Sequence, residues 1–104
     1  MTPTTPRTFL RELTNNNTVA TATSLEEVRA RPGTVCEVDE ETYFYYLEVL
    51  PPQFMDGQVF CFAEGAEPYV LFWSRESHFY ARQLTWEETQ RIAQLAGIPL
   101  PGNW

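Results

Sequence analysis

Gln58-Val59-Phe60-Cys61-Phe62-Ala63, Tyr69-Val70-Leu71-Phe72-Trp73-Ser74 and His78-Phe79-Tyr80-Ala81-Arg82-Gln83-Leu84 are the runs that decide the fold. They are rich in aromatic and branched side chains, which suit a pleated, half-buried surface. Glu64 to Pro68 separates the first two runs, and Arg75-Glu76-Ser77 separates the last two. A parallel crossover needs about a dozen residues, so spacers this short make the three strands antiparallel neighbours. In the first two runs both alternating faces are apolar: Phe60 and Phe62 against Val59 and Cys61, then Leu71 and Trp73 against Val70 and Phe72. Such a pattern belongs to a sheet covered on much of both sides. The expected class is α+β: a three-stranded antiparallel meander packed against two or three short helices.

Helices are expected on either side of this core. Thr85-Trp86-Glu87-Glu88 reads as a capping box opening a helix to about Ala96, with Thr89, Ile92, Leu95 and Ala96 inward. Gly97 is placed to end that helix and Pro99 to block its continuation. Upstream, Asp39 is placed to cap a helix through Leu50, with Glu40 and Glu41 near its positive end. Tyr43, Tyr46, Leu47 and Leu50 share one face of it, while Glu41, Tyr45 and Glu48 share the opposite face. Phe54-Met55-Asp56-Gly57 reads as a turn. Ser24-Leu25-Glu26-Glu27 is a second capping box for a short helix to Ala30, ended by Pro32-Gly33. Val35 to Val38 and Thr18 to Thr23 read as extended, and Thr8 as the cap of a turn carrying Phe9, Leu10 and Leu13. Residues 1–7 read as a loose arm of a single domain, 1–104. Trp104 closes an apolar tail expected to dock on the body or on another chain.

Charge is distributed unevenly. From Cys36 to Glu67 the chain carries Glu37, Asp39, Glu40, Glu41, Glu48, Asp56, Glu64 and Glu67 and no basic residue. The remaining sequence holds seven arginines against six acids, so the net charge of −7 arises in the middle third. An acidic balance opposes direct binding of nucleic acid and of anionic membranes, and permits binding to a basic protein surface. No run reaches the roughly 20 apolar residues of a membrane span. The first residues lack the apolar core of an export signal, which points to a cytoplasmic protein. Cys36 and Cys61 are far apart, form no metal-type spacing, and read as buried reduced thiols.

Little in the chain points to catalysis. His78 and Glu76 supply at most two metal ligands where a site needs three or four, so no metal or cofactor is expected. Ser74 and Ser77 lie near His78 without a nucleophile elbow around them. Glu40 with Glu41, or Glu64 with Glu67, would do acid–base work only if buried side by side. The commoner role of such acids is to cap helices and solubilise turns. Duplex mimicry is also demanding. Duplex DNA carries about one charge per 1.7 Å. Glu41 and Glu48 are about 10.5 Å apart along a helix, so other acids must join them.

Glu37-Val38-Asp39-Glu40-Glu41, Tyr46-Leu47-Glu48-Val49-Leu50-Pro51-Pro52, Phe54-Met55, Gly57 and Phe60 together resemble a family of small uncharacterised bacterial and plasmid-borne proteins. The likeness covers about a quarter of the chain and rests chiefly on Leu-Pro-Pro and Met-x-Gly. It implies no activity, but it suggests a mobile-element origin. Small acidic products of such elements resemble anti-defence proteins, anti-CRISPR inhibitors among them. The leading expectation is a non-catalytic inhibitor covering a basic, nucleic-acid-binding surface of a host defence complex, such as a CRISPR effector subunit. Glu40, Glu41, Tyr45, Glu48, Glu64 and Glu67 are the expected contacts. The alternatives are an accessory domain that self-associates as a homodimer through its sheet edge or Trp104, and a small enzyme using clustered carboxylates.

Overall fold

The structure, a computed structural model, describes residues 5–15, 19–50, 52–62 and 68–99. Each helix begins where a polar side chain can satisfy free backbone amides. α1 (Pro6–Leu13) has Pro6 in its first turn, and the Thr5 hydroxyl accepts from the Thr8 amide. The cap is therefore Thr5, not Thr8, and the helix starts inside the stretch expected to be a loose arm. Proline suits this place because its missing N–H would lack a helical partner anyway. α2 (Leu25–Arg29) is capped by Ser24, and α3 (Glu40–Val49) by Asp39. α4 (Trp86–Ala96) carries the complete capping box of Thr85 and Glu88 and ends on Gly97 in the left-handed conformation.

Six strands form one mixed sheet among the described residues: β1 (Ala20–Thr21), β2 (Val35–Val38), β3 (Pro52–Asp56), β4 (Val59–Phe62), β5 (Val70–Arg75) and β6 (His78–Gln83). Their order is β1-β2-β6-β5-β4-β3. The three-stranded meander is thus corrected to six strands with four helices, although α+β stands as the class. Two causes explain the difference. Phe54-Met55-Asp56 is strand, not turn: Phe54 pairs with Cys61 and Asp56 with Val59, leaving Gly57 and Gln58 as a two-residue connection. Pro52 is tolerated because β3 is an edge, where a missing ladder donor costs little, and a bulge follows between Pro52 and Phe54. At the other side, β2 inserts antiparallel beside β6 with Cys36 opposite Ala81. β1 then joins β2 in parallel through the crossover that contains α2.

The sheet separates two apolar clusters, as the two-sided patterning of its strands requires. On one face α1 and α4 bring Leu10, Leu13, Ile92 and Ala93 against Cys61, Leu71, Trp73 and Leu84. On the other, α2 and α3 bring Val28, Tyr43 and Leu50 against Cys36, Phe62, Val70, Phe72 and Ala81. Each such large apolar side chain contributes about 1.5–3 kcal/mol by leaving water. In α4 the buried positions are Thr89, Ile92 and Ala93, so the inward face is rotated from the expected Leu95 and Ala96, which are only half-buried. The buried Thr89 hydroxyl accepts from the Tyr69 amide, and the Gln83 amide donates to the carbonyls of Pro68, Tyr69 and Leu84. These bonds satisfy backbone groups at the entry to β5, where the chain leaves the surface.

Candidate functional site

α3 positions the expected contacts. Asp39 accepts from the Thr42 amide at 2.6 Å, and the Thr42 side chain together with that amide holds its carboxylate below the usual range. Tyr43 is buried and Leu50 closes the helix in an extended conformation, as the following proline demands. Tyr46 is half-buried, and its hydroxyl accepts from the Leu25 amide at 3.1 Å, tying α3 to the first turn of α2. The Tyr43 ring packs against Phe79 and Phe72 of the sheet, at centroid distances of 4.8 and 6.1 Å. The inner face thus locks the helix to the sheet and to its neighbour, which fixes the direction of the outer face.

That outer face mixes acid with apolar surface. Glu40, Glu41 and Glu48 are exposed. Between them stand Phe44, Tyr45 and Val49, with 48%, 58% and 49% of their surface open. Helical spacing places Glu41 beside Tyr45, Phe44 beside Glu48, and Tyr45 beside Val49, each pair one turn apart. Phe44 is anchored on one edge: its ring meets Tyr43 and Phe79 at centroid distances of 5.3 and 5.6 Å. Together they cover about half of it.

Two of these acids have a structural reason to be where they are, and one does not. Glu40 and Glu41 lie in the first turn, where the helix dipole favours negative charge. Glu48 lies in the last turn, where the dipole disfavours it, and no basic residue shares that turn. Among the described residues Glu48 has no ion-pair or hydrogen-bond partner.

Two other central acids, Asp56 and Glu37, do not join this face. Asp56 accepts two hydrogen bonds from the Arg7 guanidinium, at 2.9 and 3.1 Å, on the α1 side of the sheet. Arg7 holds its carboxyl below the usual range. Glu37 reaches His78 Nδ1 at 3.1 Å. By strand alternation Glu37 points to the same side as Val35, away from α3. Among the described residues the acids on the outer face of α3 are therefore Glu40, Glu41 and Glu48. Glu64 and Glu67 lie outside the described residues, as does Trp104.

Groups suited to chemistry are otherwise engaged. A shallow groove of ≈ 320 Å³ beside β1 and β2 is lined by Glu37 and Asp39 together with Thr21, Ala22, Thr23 and Val38. Both carboxylates already serve His78 and the α3 cap. Among the described residues no three histidine, cysteine or acidic side chains gather as a metal site, and no helix is long and apolar enough to cross a membrane. Burial pushes the thiols of Cys36 and Cys61 up, away from the reactive thiolate. The α3 face was legible in the sequence through its helical spacing. Its ties from Tyr46 to Leu25 and from Tyr43 to Phe79 were not, because they join residues distant in the chain. Comparison with protein-family models, with curated proteins and with solved structures finds no match.

Proposed function

We propose that this protein is a non-catalytic binding domain whose contact surface is the outer face of α3. The observation that carries this reading is the cluster of half-exposed Phe44, Tyr45 and Val49 framed by Glu41 and Glu48. Aromatic anchors rimmed by charge supply the desolvated centre and the steering field of a protein interface. The partner that fits is a protein with an apolar cleft edged by arginine or lysine. A basic nucleic-acid-binding surface of a defence complex is one such partner. It would be met by three acids on one helix, in place of the long acidic ridge of a duplex mimic.

Self-association through the β3 edge finds less support. Pro52, the adjoining bulge and the Arg7–Asp56 pair are features that blunt a sheet edge against further pairing.

The test is capture from cells that carry a CRISPR effector, with parent and Tyr45→Ser/Glu48→Arg proteins at equal concentration. A variant with unchanged circular dichroism that loses the partner supports the α3 face. Equal capture by the two proteins would falsify it.

A further inference from the structure

On the opposite face of the sheet, three of the seven arginines surround one cleft. It lies between α1 and the β3–β4 connection, has a volume of ≈ 280 Å³, and is lined by Arg7, Leu10, Arg11, Asp56, Val59 and Arg75, among others. A second hollow of ≈ 440 Å³ adjoins it and shares Arg11 and Arg75. Buried Leu10 and half-buried Val59 give it apolar ground. Arg7 is fixed there by its two bonds to Asp56. Arg11 and Arg75 make no hydrogen bond or ion pair among the described residues.

Part of this arrangement runs against local stability, although Arg11 itself lies in the last turn of α1, where the dipole favours a cation. Arg7 and Arg11 stand four residues apart on α1, a like-charge spacing that weakens a helix. Arg7 also sits in the first turn, which holds no acid, where the dipole disfavours a cation. Arg75 opens a turn whose central residues, Glu76 and Ser77, have φ of 51° and 67° without either being glycine. Positive φ at both central residues is what a two-residue connection between these antiparallel strands requires. In a chain with twice as many acids as bases, solvation alone does not require three cations around one hollow.

We infer that this cleft binds a small oxyanion, a phosphate or carboxylate group held between the guanidinium groups of Arg11 and Arg75, with Arg7 as a fixed third cation. Guanidinium groups match paired oxygens in a fork geometry, and an apolar floor with a few converging polar groups is the usual make-up of a small-ligand site. The site is independent of the α3 face, which lies across the sheet.

Inorganic phosphate and succinate are the probes, titrated at constant ionic strength against sodium chloride while backbone amide resonances are followed by NMR. Saturable movement of the Arg11, Gly57 and Arg75 signals with either probe is expected. The midpoint should weaken at least tenfold in Arg11→Gln/Arg75→Gln, two exposed positions that lose no hydrogen bond or ion pair among the described residues, and stay unchanged in Glu48→Gln. Response to phosphate alone identifies a phosphoryl ligand; response to succinate alone, a carboxylate; response to both, any paired-oxygen anion. Absence of a saturable response to either probe, or an unaltered midpoint in the double variant with an unaltered melting temperature, overturns the proposal.

Discussion

Tyr46 and Glu48 show how differently two residues on one helix can be constrained. The Tyr46 hydroxyl accepts from the Leu25 amide, one of the free donors at the start of a five-residue helix. Tyr46→Phe keeps the ring and removes the acceptor, so it should cost about 1 kcal/mol. Urea unfolding of the two proteins, compared at fixed slope, measures this. Glu48 has the opposite character. Glu48→Gln removes a charge from the wrong end of the helix dipole and should stabilise the fold by about 0.3 kcal/mol or more. The same change should weaken partner capture. A Glu48→Gln protein that is less stable than the parent would remove the reason for treating this carboxylate as functional. Both residues were assigned to their faces by spacing alone. That Tyr46 serves α2 was not legible, since nothing local marks a contact across 21 residues.

Elements were legible where local chemistry and tertiary need agree. The Thr85–Glu88 capping box and the left-handed Gly97 place both ends of α4 correctly, and the Asp39 cap does so for the start of α3. β3 was missed because its signal is not local: Pro52 and Gly57 look like turn residues, and only pairing with β4 makes the segment a strand. α4 illustrates how a local motif gains a second use. Glu88 closes the capping box with one oxygen and accepts from the partly buried Arg82 at 2.7 Å with the other, while Arg82 also donates to the Leu13 carbonyl at the end of α1. One guanidinium therefore joins β6, α1 and α4. The β5–β6 connection carries strain instead of support. Ser77→Gly relieves a left-handed side-chain residue, worth about 1–2 kcal/mol, against the roughly 0.4–1 kcal/mol by which glycine loosens the unfolded chain, so a net gain of about 0.5 kcal/mol is expected. Thermal melting reads the gain directly, and a lower melting temperature would show that the Ser77 side chain supports the turn.

Across the whole molecule the sheet divides charge as well as cores. Its α2–α3 side presents Glu26, Glu27, Asp39, Glu40, Glu41 and Glu48 against Arg29 and Arg31, whereas Arg7, Arg11 and Arg75 gather on the α1 side. Composition showed the excess of acid, but only the topology shows that, among the described residues, it lies on the α2–α3 side. Hydrogen bonds from Thr23, Thr42 and Arg7 hold Glu27, Asp39 and Asp56, respectively, below the ordinary carboxylate range. A carboxylate depressed by folding contributes stability that is complete above its unfolded value, 4.5 for Glu27 and 3.8 for the aspartates, and lost as pH falls through the folded value. The denaturation midpoint should therefore be flat from pH 7 to about 5 and drop below 4. An acid-independent midpoint would show these bonds to be unimportant in solution. The same partition gives each core a chemical reporter. Cys36 faces the α2–α3 layer and Cys61 the α1–α4 layer, with β6 and β5 between their strands. Three strand spacings amount to about 14 Å, and a bridge tolerates about 7 Å between Cα atoms. Folded chains consequently cannot join their own thiols, and alkylation of one sulfur ahead of the other records which layer peels away first.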